Sequence, residues 1–87
     1  MTHAWTKFAV LLNYLNKQDE PVDVDKINDE LFAECADFDY LAALLEMMVK
    51  KHWVRQAYGN IEVYEILYEG RKWLLKNGSA YLPDQFN

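Results

Sequence analysis

Hydrophobic residues recur every three or four positions in four stretches, the spacing expected of helices with one buried face. The predicted helices lie at about residues 2–17, 25–35, 38–51 and 68–77. Residues 53–58 and 61–67 are rich in aromatic and β-branched residues, as strands are. Gly59-Asn60 between them suits a tight hairpin turn, and residues 22–24 predict one further short strand. The pattern therefore predicts four helices and a small antiparallel sheet.

The periodicity also predicts which side chains form the core. The residues expected to face inward are Trp5, Phe8, Leu12, Leu15, Ile27, Leu31, Phe32, Phe38, Leu41, Leu45, Met48, Val49, Trp73 and Leu74, with Ala42 and Leu44 beside them. Asp25 is predicted to cap the second helix. Gly78 is predicted to end the fourth. The remaining tail, residues 79–87, still contains Tyr81, Leu82 and Phe86, so we expect it to dock on its own domain or on a partner.

Several apolar residues fall on helix faces that the same periodicity turns toward water. Tyr40, Ala43 and Met47 stand at i, i+3 and i+7 of the third helix, where they form one exposed stripe. The other candidates for protein contact are Val10, Tyr14 and Leu75. An apolar stripe of tyrosine and methionine with charged neighbours is typical of a protein interface. Cover by the chain's own hairpin or tail is the alternative.

Length and composition agree with a single α+β domain, mainly helical, over residues 1–87. The chain is 52% hydrophobic and has a net charge of −5. Nine acids and one base, Lys26, stand between Asp19 and Asp39, and the bases gather elsewhere. This acidic run predicts either a solvated face or a surface that imitates nucleic acid.

The chemistry of the chain favours a protein without an active site. Its lone cysteine, Cys35, and its two histidines show no metal-ligand spacing, and its three glycines form no phosphate loop. We therefore expect no enzyme activity, cofactor or metal, and no small-molecule substrate. No apolar run is long enough to cross a membrane, and no secretory signal is evident, so we expect a cytoplasmic protein.

Two motifs resemble those of the winged helix-turn-helix family of regulators. The run 45–55, LEMMVKKHWVR, is similar to the exit of that family's recognition helix, with His52 in place of the usual glycine. The run 64–70, YEILYEG, is similar to its strand-to-helix junction, with Leu67 in place of a capping threonine. The resemblance implies a winged-helix fold whose wing spans about residues 53–67. It also implies pairing through the first and last helices.

The family resemblance implies DNA binding, but the exposed residues favour protein contact. Recognition of DNA base edges favours Arg, Lys, Asn, Gln, Ser or Thr on the outward side of the third helix. That side carries Asp39, Tyr40 and Glu46 instead. Under the DNA-binding alternative, Lys50, Lys51 and Arg55 are the predicted phosphate contacts. We expect a regulatory or adaptor module that acts by protein contact, as a dimer. The DNA-binding regulator and the acidic nucleic-acid mimic remain the alternatives.

Overall fold

The described part of the chain has the predicted order of helices and strands. A computed structural model describes residues 2–31, 38–59 and 62–82. Its elements are α1 (Thr2–Asn16), β1 (Val22–Asp23), α2 (Val24–Leu31), α3 (Phe38–Lys50), β2 (Val54–Gln56), β3 (Val63–Ile66) and α4 (Tyr68–Tyr81). The fold is α+β and mainly helical, as predicted, although the strands are shorter and α4 is longer than expected.

The three strands form one antiparallel sheet in the order β1-β3-β2. The central strand β3 aligns Tyr64 with Val22 on one side and with Gln56 on the other. Tyr64 and Ile66 lie on the same face of β3, because successive side chains of a strand lie on opposite faces, and both are buried. The sheet thus joins the segment before α2 to the hairpin that follows α3.

The hairpin turn begins one residue earlier than predicted. Tyr58 and Gly59 have φ angles of 59° and 67°, in the left-handed region that favours glycine. The prediction placed this conformation at Gly59-Asn60, and residues 60 and 61 lie outside the described part. Because β2 ends at Gln56, Tyr58 belongs to the turn and its side chain is 79% exposed.

Helix α1 lies at the centre of the core, where it contacts α3, α4 and β3. Five consecutive side chains, Phe8 to Leu12, are buried, so α1 is covered on more than one face. The prediction that Val10 faces water is wrong, because its side chain is only 7% exposed. A helix that is apolar around much of its circumference belongs inside a protein.

The rest of the core follows the predicted pattern closely. The fully buried side chains beyond α1 include Ile27, Leu41, Leu45, Met48 and Val54. Leu31, Val49 and Trp73 pack partly buried against them. Ala42 was predicted to flank the core, but this prediction is wrong because its side chain is exposed. The side chains of Phe32, Cys35 and Phe38 lie outside the described part.

The exit from α3 uses His52 where a glycine is usual. His52 has a φ of 62°, and its N–H donates to the Val49 carbonyl at 3.0 Å. The Trp53 N–H donates to the Met48 carbonyl at 3.0 Å. These paired hydrogen bonds define a Schellman cap with His52 at its left-handed position. Histidine tolerates this conformation better than most residues, so the helix ends where the sequence predicted.

The junction between β3 and α4 is held by the backbone of Trp53. Leu67 occupies the N-cap position without a side-chain hydrogen bond, as expected from the missing threonine. Its N–H instead donates to the Trp53 carbonyl at 2.8 Å. A Cβ placed on Gly70 would lie 2.3 Å from that same carbonyl oxygen. Glycine at this position therefore lets α4 approach the strand closely.

Two predicted helix boundaries are corrected by the structure. Asp23, not Asp25, caps α2, because its Oδ1 accepts the N–H of Asp25 at 2.8 Å. Gly78 does not end α4, which continues to Tyr81. The apolar residues Tyr81 and Leu82 pack back onto the domain, and this packing favours the additional helical turn. The predicted docking of the tail is thus confirmed for these two residues, and residues 83–87 lie outside the described part.

Candidate functional site

The outward side of α3 carries the predicted apolar stripe. Tyr40 is 44% exposed, Met47 is 45% exposed, and Ala43 between them is also exposed. Lys50 lies 3.7 Å from Glu46, and this ion pair borders the stripe. The inward positions of α3 are filled by Leu41, Leu44, Leu45 and Met48. The 3.6-residue period therefore leaves tyrosine, alanine and methionine together on the surface.

A shallow depression adjoins this face of α3. It lies between the helix and the sheet, and it is lined by Ala42, Glu46, Val49, Gln56 and Tyr64. Its walls are mainly apolar, with Glu46 supplying one carboxylate. The stripe and the depression together form what we name the α3 face. Helical spacing predicted the stripe but not the depression. Gln56 and Tyr64 line the depression only because the sheet packs against α3, and that packing cannot be read from spacing along one helix.

The second predicted contact surface does not assemble. Val10 is buried, Tyr14 is half-buried, and Leu75 is 86% exposed. Helices α1 and α4 pack against each other within one chain, so much of their apolar surface is already covered. Of these three residues, only Leu75 has a largely exposed side chain.

Tyr14 links α1 to α2 through a short hydrogen bond. Its hydroxyl donates to Oε2 of Glu30. Burial raises the pKa of Tyr14 well above its ordinary value of 10.0, and the hydrogen bond and negative charge of Glu30 raise it further. The tyrosine that was predicted to meet a partner thus has a partner within its own chain.

The raised pKa of Tyr14 predicts a loss of stability at alkaline pH. Its folded-state pKa lies above its unfolded value, so its contribution is complete below about pH 10 and is lost as pH rises toward the folded-state pKa. Tyr14→Phe should reduce the decline of the urea unfolding midpoint between about pH 9 and pH 11. Tyr58→Phe, at the exposed hairpin turn, is the matched control. If the unfolding midpoints of Tyr14→Phe and Tyr58→Phe fell equally between these pH values, Tyr14 would not be the source of the alkaline loss of stability.

All three predicted phosphate-binding bases have interactions within the chain. Lys50 pairs with Glu46 as described above, and Arg55 Nε lies 2.7 Å from Oε2 of Glu65. The Lys51 ammonium lies over the rings of Trp5 and Trp53, at 5.7 and 5.2 Å from their centroids. These bases therefore do not project together from one helix face as free cations.

The acidic run is spread over the segment before α2 and over α2 itself. Asp19, Glu20, Asp25 and Asp29 are exposed in the described residues. Asp23 caps α2, and Glu30 accepts the Tyr14 hydroxyl. The acids at 34 and 37 and the side chain of Asp39 lie outside the described part. Two of the acids thus have structural interactions, and the exposed ones face solvent.

An aromatic cluster that the sequence pattern did not predict joins α1, the residue just before β2, and α4. Its members are Trp5, Phe8, Trp53, Trp73 and Tyr81. Trp53 and Trp73 are closest, with ring centroids 4.8 Å apart. The residues are far apart along the chain, so their helical and strand periodicities give no sign that their rings meet.

Neither a protein-family model, a curated protein nor a solved structure matches the chain. Within the described ranges, no three His, Cys, Asp or Glu side chains are grouped so that they could hold a metal ion. No helix in those ranges has the length and apolar character needed to cross a membrane.

Proposed function

We propose that this chain is a non-enzymatic regulatory or adaptor module of the winged-helix class. It acts in the cytoplasm through protein contact at the α3 face, and it works as a dimer or with a different partner protein. The exposed apolar stripe on α3 is the observation that carries this proposal.

The order of elements supports the winged-helix assignment. Three helices with a short strand after the first precede a β-hairpin and a fourth helix. The hairpin, β2 and β3, takes the place of the wing. His52, which stands at the glycine position of the first family-like motif, has a left-handed φ, and Gly70, the glycine of the second motif, lies close to the Trp53 carbonyl.

The chemistry of the α3 face supports a protein partner. Tyr40 and Met47 offer an aromatic ring and a flexible thioether, which pack well against apolar side chains. Ala43 between them lets another backbone approach closely. The neighbouring Glu46–Lys50 pair supplies a charged edge, as at the rim of many protein interfaces.

The proposal is tested by the double substitution Tyr40→Glu with Met47→Glu. Two carboxylates in the stripe would need to be desolvated on binding, so we expect at least about a tenfold loss of partner capture or self-association. Capture from a native lysate and sedimentation mass are the readouts. Tyr58→Glu introduces a carboxylate at an exposed tyrosine outside α3 and serves as the control.

Circular dichroism should show that the double variant keeps the wild-type helical content, because both side chains are already substantially exposed. The proposal fails if the double variant retains the wild-type set of captured proteins and the wild-type sedimentation mass. It also fails if the control variant loses them to the same extent.

Sequence-specific DNA binding is the alternative function. The family resemblance favours it, and the side chains of the α3 face do not. Tyr40, Ala43 and Met47 offer no bidentate donors for base edges. Lys50, Lys51 and Arg55 have carboxylate or aromatic partners in the chain. Binding of phosphate by these residues would have to compete with those interactions.

A further inference from the structure

A second surface lies on α4, beside the aromatic cluster. A shallow depression there is lined by Trp53, Trp73, Lys72, Lys76 and Asn77, with Glu69 at its edge. Lys51 lies next to it, because its ammonium is 5.2 Å from the centroid of the Trp53 ring. We name Lys51, Lys72 and Lys76, with the two tryptophans between them, the α4 basic patch.

The α4 basic patch is a local concentration of positive charge on an acidic protein. The chain carries a net charge of −5, yet Lys72 and Lys76 line this depression with a single carboxylate, Glu69, and the Lys51 ammonium lies over the neighbouring Trp53 ring. Lys72 and Lys76 make no ion pair with any described residue. Both are exposed, so their charges are free to meet carboxylates of another molecule.

Apolar side chains accompany these charges along α4. Tyr68 is 70% exposed and Leu75 is 86% exposed. They stand four residues before and three residues after Lys72, so all three are neighbours on one side of the helix. A partner for this surface must therefore supply both carboxylates and apolar side chains.

We propose that the α4 basic patch binds an acidic protein segment that also carries aliphatic residues. Its carboxylates pair with Lys72 and Lys76, and its aliphatic side chains pack on Tyr68 and Leu75. This surface is made by elements other than the α3 stripe, and the proposal does not depend on the function assigned to that stripe.

The aromatic geometry favours such a segment over single-stranded nucleic acid. Stacking of successive bases needs several open aromatic faces, and among the described residues of this surface Tyr68, 70% exposed, is the one ring that the tryptophan cluster does not engage. Trp53 is only 9% exposed, and Trp73 stacks at 5.9 Å on Trp5 and at 6.0 Å on Tyr81. The indole rings are thus largely engaged with one another, whereas Lys72 and Lys76 remain exposed.

Intrinsic fluorescence provides a direct test, because the three tryptophans of the chain all belong to this cluster. The probe is a short fluorescein-labelled peptide of alternating Glu and Leu pairs, added to the full chain at low salt. We expect saturable anisotropy together with a shift in tryptophan emission. The same peptide with Gln for Glu should bind at least about tenfold more weakly, since the charge attraction is removed.

Substitutions on α4 test whether the acidic peptide binds at the α4 basic patch. Lys72→Glu with Lys76→Glu should weaken binding of the acidic peptide by at least about tenfold, and Lys72→Gln with Lys76→Gln should do so to a smaller extent. Lys26→Glu on α2 adds the same kind of charge change away from the patch and should have little effect. Circular dichroism checks that each variant is folded.

The proposal is overturned if the Gln peptide binds as tightly as the Glu peptide, or if the Lys72 and Lys76 variants bind like wild type. It is also overturned if neither peptide binds at about 1 mM protein, a concentration that would reveal even weak recognition. Binding of oligothymidylate in preference to the acidic peptide would assign the patch to nucleic acid instead.

Discussion

Replacing Gly70 with alanine is expected to lower the free energy of unfolding by about 3 kcal/mol or more. The added methyl group would lie 2.3 Å from the Trp53 carbonyl oxygen and 3.0 Å from Cγ1 of Ile66. The carbonyl belongs to backbone that also accepts the Leu67 N–H, so it cannot move without disturbing the start of α4. Urea denaturation followed by circular dichroism measures the loss.

Gly78→Ala is the matched control, because it adds the same methyl group to the same helix. Its nearest neighbours are the side-chain ends of Leu74 and Leu82, at 3.3 and 3.6 Å, and these can adjust. Alanine also favours a helix over glycine by up to about 1 kcal/mol, so we expect a change within about 1 kcal/mol of wild type. Equal losses in the two variants would contradict the close approach at Gly70.

Replacing Val10 with glutamate is expected to cost about 3–5 kcal/mol, a large part of the roughly 5–10 kcal/mol that stabilises a domain of this size. Val10 is 7% exposed and lies in the run of α1 that is buried from Phe8 to Leu12. A carboxylate there would lose most of its hydration, which is the main cost of burying a charge. The unfolding midpoint in urea is the measurement.

Leu75→Glu is the control for this substitution. Val10 and Leu75 were both predicted as contact residues from their sequence positions, but Leu75 is 86% exposed. We expect its replacement to change the free energy of unfolding by less than about 0.5 kcal/mol. If Val10→Glu proved equally harmless, α1 would have an open face, and the predicted contact through the first helix would stand again.

The sequence predicted elements well where local spacing determines them. The inward residues Leu41, Leu45 and Met48 of α3 follow from the spacing of neighbouring residues, and so does the position of His52 at the end of that helix. Val10 was placed wrongly because one-sided amphipathicity assumes that only one face of a helix is covered. The number of elements that pack against α1 is a property of the whole fold, which helical periodicity does not contain.

The same distinction applies to the two candidate surfaces. Tyr40, Ala43 and Met47 share a helix, so their exposure could be predicted from spacing alone. The α4 basic patch combines Lys51 from the α3 exit with Lys72 and Lys76 from α4. The aromatic rings that bring them together come from distant parts of the chain. Local spacing along the chain does not show that these three lysines lie near one another.

We propose that the α3 face contacts protein and not duplex DNA. The direct test between protein contact and DNA binding is a fluorescence-polarisation titration of the full chain into labelled duplex DNA of random sequence at low salt. We expect no saturable binding up to high micromolar protein. Saturable binding that weakens steeply with added salt, and that is lost when Lys50 and Lys51 are replaced by glutamate, would contradict it.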